Sequence, residues 1–222
     1  MAENGVTRNN GIDSRIVARN RKRWLEEALE VLVEEGPHAV SVKRIAARLG
    51  TSRSPFFRVF GNREELLRQM FDLYNQETTI KTFHYVRRFT GKPLQRFWYF
   101  WVYIIEKGIY RLDRPYRWWS MLDPTINNRI RVMDQERIEF LCKLYRELGY
   151  SDEEMEHRAS FAYSEYIGIL VAGHDDMSID DLKRRAMFRF YLHTLPPMPD
   201  DFCLPDLSPD VSQSGPEMTE TP

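Results

Sequence analysis

The stretch from Ser41 to Asn62, SVKRIAARLGTSRSPFFRVFGN, constrains the fold more than any other part of the chain, because its residues fit two short helices joined by a tight turn. Ser41 suits an N-cap, and Val42, Ile45, Ala46 and Leu49 recur at i, i+3, i+4 and i+7, the spacing of one buried helix face. Lys43, Arg44 and Arg48 fall on the wet side. Gly50 stands where the chain must turn sharply, since a residue without Cβ takes left-handed angles at little steric cost. A second helix follows at once, with Ser52 as its expected N-cap, Pro55 in its first turn, and Phe56, Val59 and Phe60 packing back on the first. Arg53, Ser54, Pro55, Phe57 and Arg58 are left at the N-terminal and outer side of that helix. This is the end that reaches base edges when such a helix lies in a major groove. Taken alone, the pattern also fits two helices of an ordinary bundle with a solvated basic face.

Three neighbouring pieces give the stretch a context: WLEEALEVLVEEGPHAVSV, RIAARLGTSRSPFFRVF and NREELL, in that order. Together, from about Trp24 to Leu67, they resemble the N-terminal domain of TetR-type (TetR/AcrR) transcriptional regulators. The resemblance implies an all-α fold, a small helix-turn-helix domain followed by a larger helical ligand-sensing and dimerisation domain, and binding to double-stranded DNA. It implies phosphate contacts at Ser41 and Arg63, and base or groove contacts at Lys43, Arg53, Ser54 and Pro55. Two positions depart from the family pattern. Phe57 stands where a Tyr is common and Val59 where a His is common, so one polar anchor on phosphate is expected to be missing, while the Phe57 ring can still press on sugar or a thymine methyl.

The chain has 222 residues, 42% hydrophobic and 29% charged, enough for a small and a larger domain. Its net charge of -1 hides an uneven distribution, which matters more for nucleic-acid binding than the sum. Basic residues outnumber acidic ones before about Arg68, whereas Asp200, Asp201, Asp206, Asp210, Glu217 and Glu220 accumulate after Pro196. Cys142 and Cys203 have no metal-type spacing, and a reducing cytoplasm fits them. No apolar leader segment or membrane-spanning run is visible, so a cytoplasmic location without membrane association is expected.

Four regions follow from punctuation and composition. Residues 1–12, rich in Asn and Gly, read as a mobile arm. Residues 13–67 form the helix-turn-helix domain, whose first helix is expected to start at Asp13 or Ser14 and stop at Gly36-Pro37. It carries Arg15, Arg19, Arg21, Lys22 and Arg23, either a solvated face or an arm that touches phosphate or an adjacent minor groove. Residues 68–195 form the second domain, reached by a helix capped by Asn62 that could act as a lever. Residues 196–222, acidic and with most of the chain's prolines, read as a disordered tail.

In the second domain, aromatic residues crowd from Phe97 to Trp119, and Pro115 reads as the start of a short helix reaching Leu122. Consecutive aromatics cannot all face one core, so either they fill a thick core or some of them line a cavity or an interface. Trp98, Trp101, Tyr116 and Trp119 are the expected lining for a small apolar or aromatic effector, in line with the resemblance. Asp123-Pro124 starts a long helix of roughly 36 Å, stopped by Gly149. Ser151 with Glu154, and Ser178 with Asp181, open the last two helices. YSEYIGILVAG is apolar on nearly every side, and is either the buried centre of a monomer or half of a homodimer interface. Tyr166, Gly168, Ala172, Met187 and Phe190 are the expected interface residues.

No P-loop, dinucleotide glycine motif, Gly-x-Ser-x-Gly elbow or His-Glu-x-x-His occurs. Glu154-x-x-His157 has the spacing of a di-iron ligand pair but lacks the second pair such a site needs. The expectation is a non-enzymatic, homodimeric regulator without metal or cofactor, acting as a repressor on a palindromic operator and released by its effector. The other reading is a small-molecule binding dimer whose helix-turn-helix no longer reads DNA.

Overall fold

The computed structural model describes residues 6–172 and 177–196, with side chains from residue 15 on, and among them it contains helices and no strands. Helix α1 (Val6–Glu35) begins ahead of the expected start at Asp13 or Ser14, so residues 6–12 of the expected arm are helical. Once the half from Trp24 is held by packing, extending a helix backward costs only each residue's propensity, which is less than nucleation. Residues 1–5 of the arm and residues 197–222 of the acidic tail, with Cys203, lie outside the described residues.

Local chemistry sets the helix-turn-helix. Gly36 ends α1 at φ 83°, and a 3-10 turn, Pro37–Ala39, leads to α2 (Val42–Arg48). The Ser41 hydroxyl caps α2 by accepting from the Arg44 N–H at 3.2 Å. Gly50 makes the turn at φ 63°, a left-handed angle costly for any residue with a Cβ. Helix α3 (Ser54–Phe60) starts later than expected, with Arg53 at the N-cap and no side-chain cap bond. A cap at Ser52 would look for the N–H three residues on, and that residue is Pro55, which has none.

Asn62 caps α4 (Arg63–Asn75), accepting from the Glu65 N–H at 2.8 Å, with Glu64 and Glu65 at the positive end of the dipole. The chain then runs through a π-turn, Gln76–Ile80, into α5 (Lys81–Arg88), so one rod joins the helix-turn-helix domain, called the reading head below for the role expected of it, to the rest of the molecule. Next come α6 (Pro93–Glu106), α7 (Ile109–Ser120), α8 (Pro124–Glu147), α9 (Asp152–Ala172) and α10 (Ile179–His193). Asp123 caps α8 through the Thr125 and Ile126 N–H groups, and the Ser151 and Ser178 hydroxyls accept from Glu154 and Asp181.

Pro115 does not open a helix; it lies inside α7 and is buried. An interior proline costs about 3 kcal/mol. Here buried neighbours on both sides of it, Asp113 and Tyr116, hold α7 to the core and override that local signal.

Two apolar clusters form the core. The first joins Trp24, Ile45, Phe56 and Leu66 of the reading head to Met70, Phe71 and Tyr74 of α4, and continues into Tyr116, Trp119, Ile126, Ile130 and Met133. It therefore runs across residue 67 without a break. The second gathers α6, the far half of α8 and the inward face of α9, around Phe97, Phe100, Phe140, Leu144, Tyr145 and Ala159. α10 packs on α6, and α9 packs on α8 and α7.

Candidate nucleic-acid interface and candidate ligand cavity

Ile45, Ala46, Phe56, Val59 and Phe60 are buried, which fixes the orientation of α2 and α3. Their other sides are bare. Lys43, Arg53, Ser54, Phe57 and Arg58 are exposed and Pro55 is half-buried, so the expected contact residues share one outer surface. Phe57 is 57% exposed, although its ring meets Phe56 edge-on. Arg63, exposed, donates from Nη2 to the Val40 carbonyl at 3.4 Å, which sets its guanidinium beside half-buried Ser41. Val59 is buried in the core.

Arg44 and Arg48 are not free on the wet side. Arg44 Nε meets Glu35 at 2.8 Å, and Arg48 meets Glu27 at 2.5 Å and Glu34 at 2.6 Å, binding α2 to the end of α1. The hydrogen bond from Arg44 is the main cause that holds the Glu35 carboxyl below its usual range. Exposed Arg15, Arg19, Lys22 and Arg23 extend the basic surface along α1, and Arg21 donates to the Val59 carbonyl of α3 at 3.2 Å.

A cavity of about 840 Å³ opens where α1, α6, α7, α9 and α10 meet. Its size is ordinary for a small-molecule site. Trp101 lines it as expected, but Trp98, Tyr116 and Trp119 do not. Tyr116 is fully buried, stacked on Tyr74 at 4.0 Å, and Trp119 packs beside it in the first core cluster. Trp98 sits against Phe190 at 5.2 Å. The α7 residues that do face the cavity are Tyr110, Arg111, Arg114, Pro115 and Trp118, on the side of the helix away from core-bound Tyr116 and Trp119. Leu32 to Gly36 of α1, with Pro37 and His38, form another wall, so the cavity touches the reading-head domain directly.

Behind Trp101 and Tyr166 lies a buried polar network that sequence reading missed. Arg137 of α8, 8% exposed, donates to Asp113 at 3.0 Å from both terminal nitrogens, and to the Thr78 and Thr79 hydroxyls of the π-turn at 2.8 and 2.9 Å. Tyr74 and Tyr166 each donate to Asp113 at 2.5 Å. Burial pushes the Asp113 carboxyl up, but the Arg137 charge and these hydrogen bonds outweigh it and leave the group below its ordinary value. The signal was present: Arg137 falls at i+4 from Met133 and i−4 from Leu141, on the inward stripe of α8. A second pair, Arg117 with Asp134, is bridged by the Tyr163 hydroxyl, which accepts from Arg117 at 2.7 Å and donates to Asp134 at 2.6 Å.

Of the expected interface residues, Tyr166 is half-buried and its hydroxyl is committed inward, to Asp113. Phe190 also turns inward, onto Phe97 and Trp98. Gly168, Ala172 and Met187 do face outward, and a Cβ at Gly168 would meet nothing within 4 Å. Beside them Phe161, Phe188 and Tyr191 are 66%, 65% and 63% exposed, an apolar surface larger than the sequence alone suggests. Among the described residues no cluster of His, Cys, Asp and Glu could hold a metal, and no helix is long and apolar enough to cross a membrane.

A helix-turn-helix with a buried core and a bare basic end is mounted on a larger helical domain, an all-helical architecture among the described residues. Residues 25–70 match the family model for bacterial regulatory proteins of the tetR family, to which the helix-turn-helix region is therefore similar. The whole fold is similar to solved structures of that kind. A transcriptional regulator from Rhodococcus sp. Rha1 shares 15% identity at a TM-score of 0.66, over 78% of this chain and 94% of that one. A regulator from Saccharomonospora viridis, solved in complex with choline, shares 17% at 0.59, over 78% and 96%. NalD, the secondary repressor of the MexAB-OprM multidrug efflux pump in Pseudomonas aeruginosa, shares 14% at 0.55, over 79% and 95%. At these identities the likeness is one of fold. No curated protein matches the chain by sequence.

Proposed function

We propose that the protein is a ligand-responsive transcriptional repressor that binds a palindromic operator as a homodimer and is released by a small apolar or aromatic effector held in the 840 Å³ cavity. The observation that carries this reading is the outer surface of α2 and α3, where Lys43, Arg53, Ser54 and Arg58 stand exposed, without ion pairs among the described residues, while the opposite faces are locked into the core. Bound choline in a neighbour of the same fold supports a small-molecule role for the second domain. The apolar outer face of α9 and α10 supports pairing, which two reading heads about one DNA turn apart require.

Two connections link cavity and reading head in this mechanism. The cavity wall from Leu32 to His38 leads through Glu34 and Glu35 to Arg44 and Arg48 of α2. Tyr166 leads through Asp113 and Arg137 to the π-turn of the rod. An effector shifts the balance only by binding the released arrangement more tightly than the DNA-bound one. Selection of random duplex DNA on the purified protein, repeated at raised salt, tests the reading. Enrichment of one palindrome supports it. Sequence-blind retention that vanishes with salt leaves phosphate attraction alone, and the binding-dimer reading replaces it.

A further inference from the structure

The cavity walls are mostly apolar, with Leu32, Trp101, Ile104, Leu170, Leu182 and Phe190 among them, and of the charged groups that join them Arg189 is half-buried with its partners incomplete. Arg189 of α10 has a side chain only 25% exposed, and its single polar partner among the described residues is Glu165, with Nε 3.1 Å from Oε1. Its two terminal nitrogens have no partner there. Glu165 is already engaged on both oxygens, because Oε2 lies 2.6 Å from Nε2 of buried His193. Desolvation lowers the Arg189 pKa in spite of Glu165, as expected for a guanidinium whose charge is only partly compensated. Arg111, exposed where it lines the same cavity, has no ion pair among the described residues.

We propose that the effector is an apolar or aromatic molecule bearing a carboxylate, read by the two terminal nitrogens of Arg189. A guanidinium presents parallel N–H donors at the spacing of carboxylate oxygens, so one group supplies both the missing charge and the missing acceptors. A cationic ligand meets the opposite situation: the three carboxylates of the wall are engaged, Glu34 and Glu35 with Arg44 and Arg48 and Glu165 with Arg189 and His193, and a second positive charge would stand beside Arg189. Trp101 and Phe190 provide the surface for the apolar body. The proposal rests on the cavity being the effector site, and its test separates the two.

Calorimetric titration with 2-naphthoate, 2-naphthamide and (2-naphthylmethyl)trimethylammonium varies the head group on one aromatic body. The naphthoate is expected to bind at least about tenfold tighter than the other two. Arg189→Lys, which keeps the charge and loses the fork, should erase most of that preference, and Ala186→Trp, which fills the cavity, should abolish binding. Equal or tighter binding of the amide or the ammonium compound overturns the carboxylate while leaving the cavity as the site. Naphthoate binding that survives in a folded Ala186→Trp protein, or binding of none of the three compounds, overturns the cavity as the effector site as well.

Discussion

Asp113 is the residue on which the second domain turns, because four helical segments meet at its carboxylate. Tyr74 and Tyr166 donate to it, and Arg137 brings it to the π-turn threonines. Removing one member of a buried pair leaves the other charge uncompensated, so Asp113→Asn should cost about 3–5 kcal/mol in urea unfolding. A loss below about 1 kcal/mol would remove the network from the stability of the fold. The pH dependence has a definite sign. The folded carboxyl sits below its ordinary value, so its contribution is complete above the unfolded value of about 3.9 and is lost as pH falls through the lower, folded one. The acid limb of the stability profile should therefore flatten in the Asn variant. Arg53 acts on a different quantity. Under the proposed function Arg53→Ala should weaken specific binding by roughly 1–3 kcal/mol and relax one operator position. An unchanged operator preference in a selection repeated with the variant would assign that role elsewhere.

Among the elements, α1 carries a stretch, residues 15–23, whose described side chains stay exposed or half-buried. Trp24 is the first buried residue among those whose side chains are described, and ahead of it Arg15, Arg19, Lys22 and Arg23 are exposed, while Arg21 is bound to α3. Replacing Arg15, Arg19 and Arg23 together by Gln should reduce the slope of log affinity against log salt by about 0.9 for each phosphate the variant no longer neutralises. A slope equal to that of the parent protein would make residues 15–23 a solvated face. The reading head was legible in the sequence because its signals are local: Ser41 and Asn62 cap the helices they precede, and Gly36 and Gly50 turn where they stand. The cavity was legible only in part. Trp98 and Trp101 lie on one helix, and which of them faces the space depends on where α10 docks, a contact far away in sequence. Tyr116 and Trp119 were expected there from aromatic crowding and the resemblance, neither of which tells one face of a helix from another. Inside a longer α7 they turn to the core, and Arg114 and Trp118 take the cavity side. The Asp113–Arg137 pair was hidden by the usual weighting of charged residues toward solvent.

At the scale of the whole molecule, the reading head, the cavity and the outer face of α9 and α10 make sense together if two copies act at once. Phe161, Phe188 and Tyr191 form an apolar surface that one chain leaves in water. Replacing Phe188 and Tyr191 by Glu should yield a monomer in sedimentation and lower operator affinity by at least about 100-fold, since each half-site would have to be bound alone. A variant that still sediments as a dimer would move the interface to another face. The most direct test of a paired reader uses the selected palindrome with about 5 base pairs inserted between its half-sites, which turns one of them by half a helical turn. Fluorescence anisotropy on the two duplexes compares them under one salt condition. A homodimer with two fixed reading heads should lose most of its affinity for the lengthened site while retaining its salt-dependent, sequence-blind binding. Equal affinity for both duplexes would contradict recognition by two coupled heads.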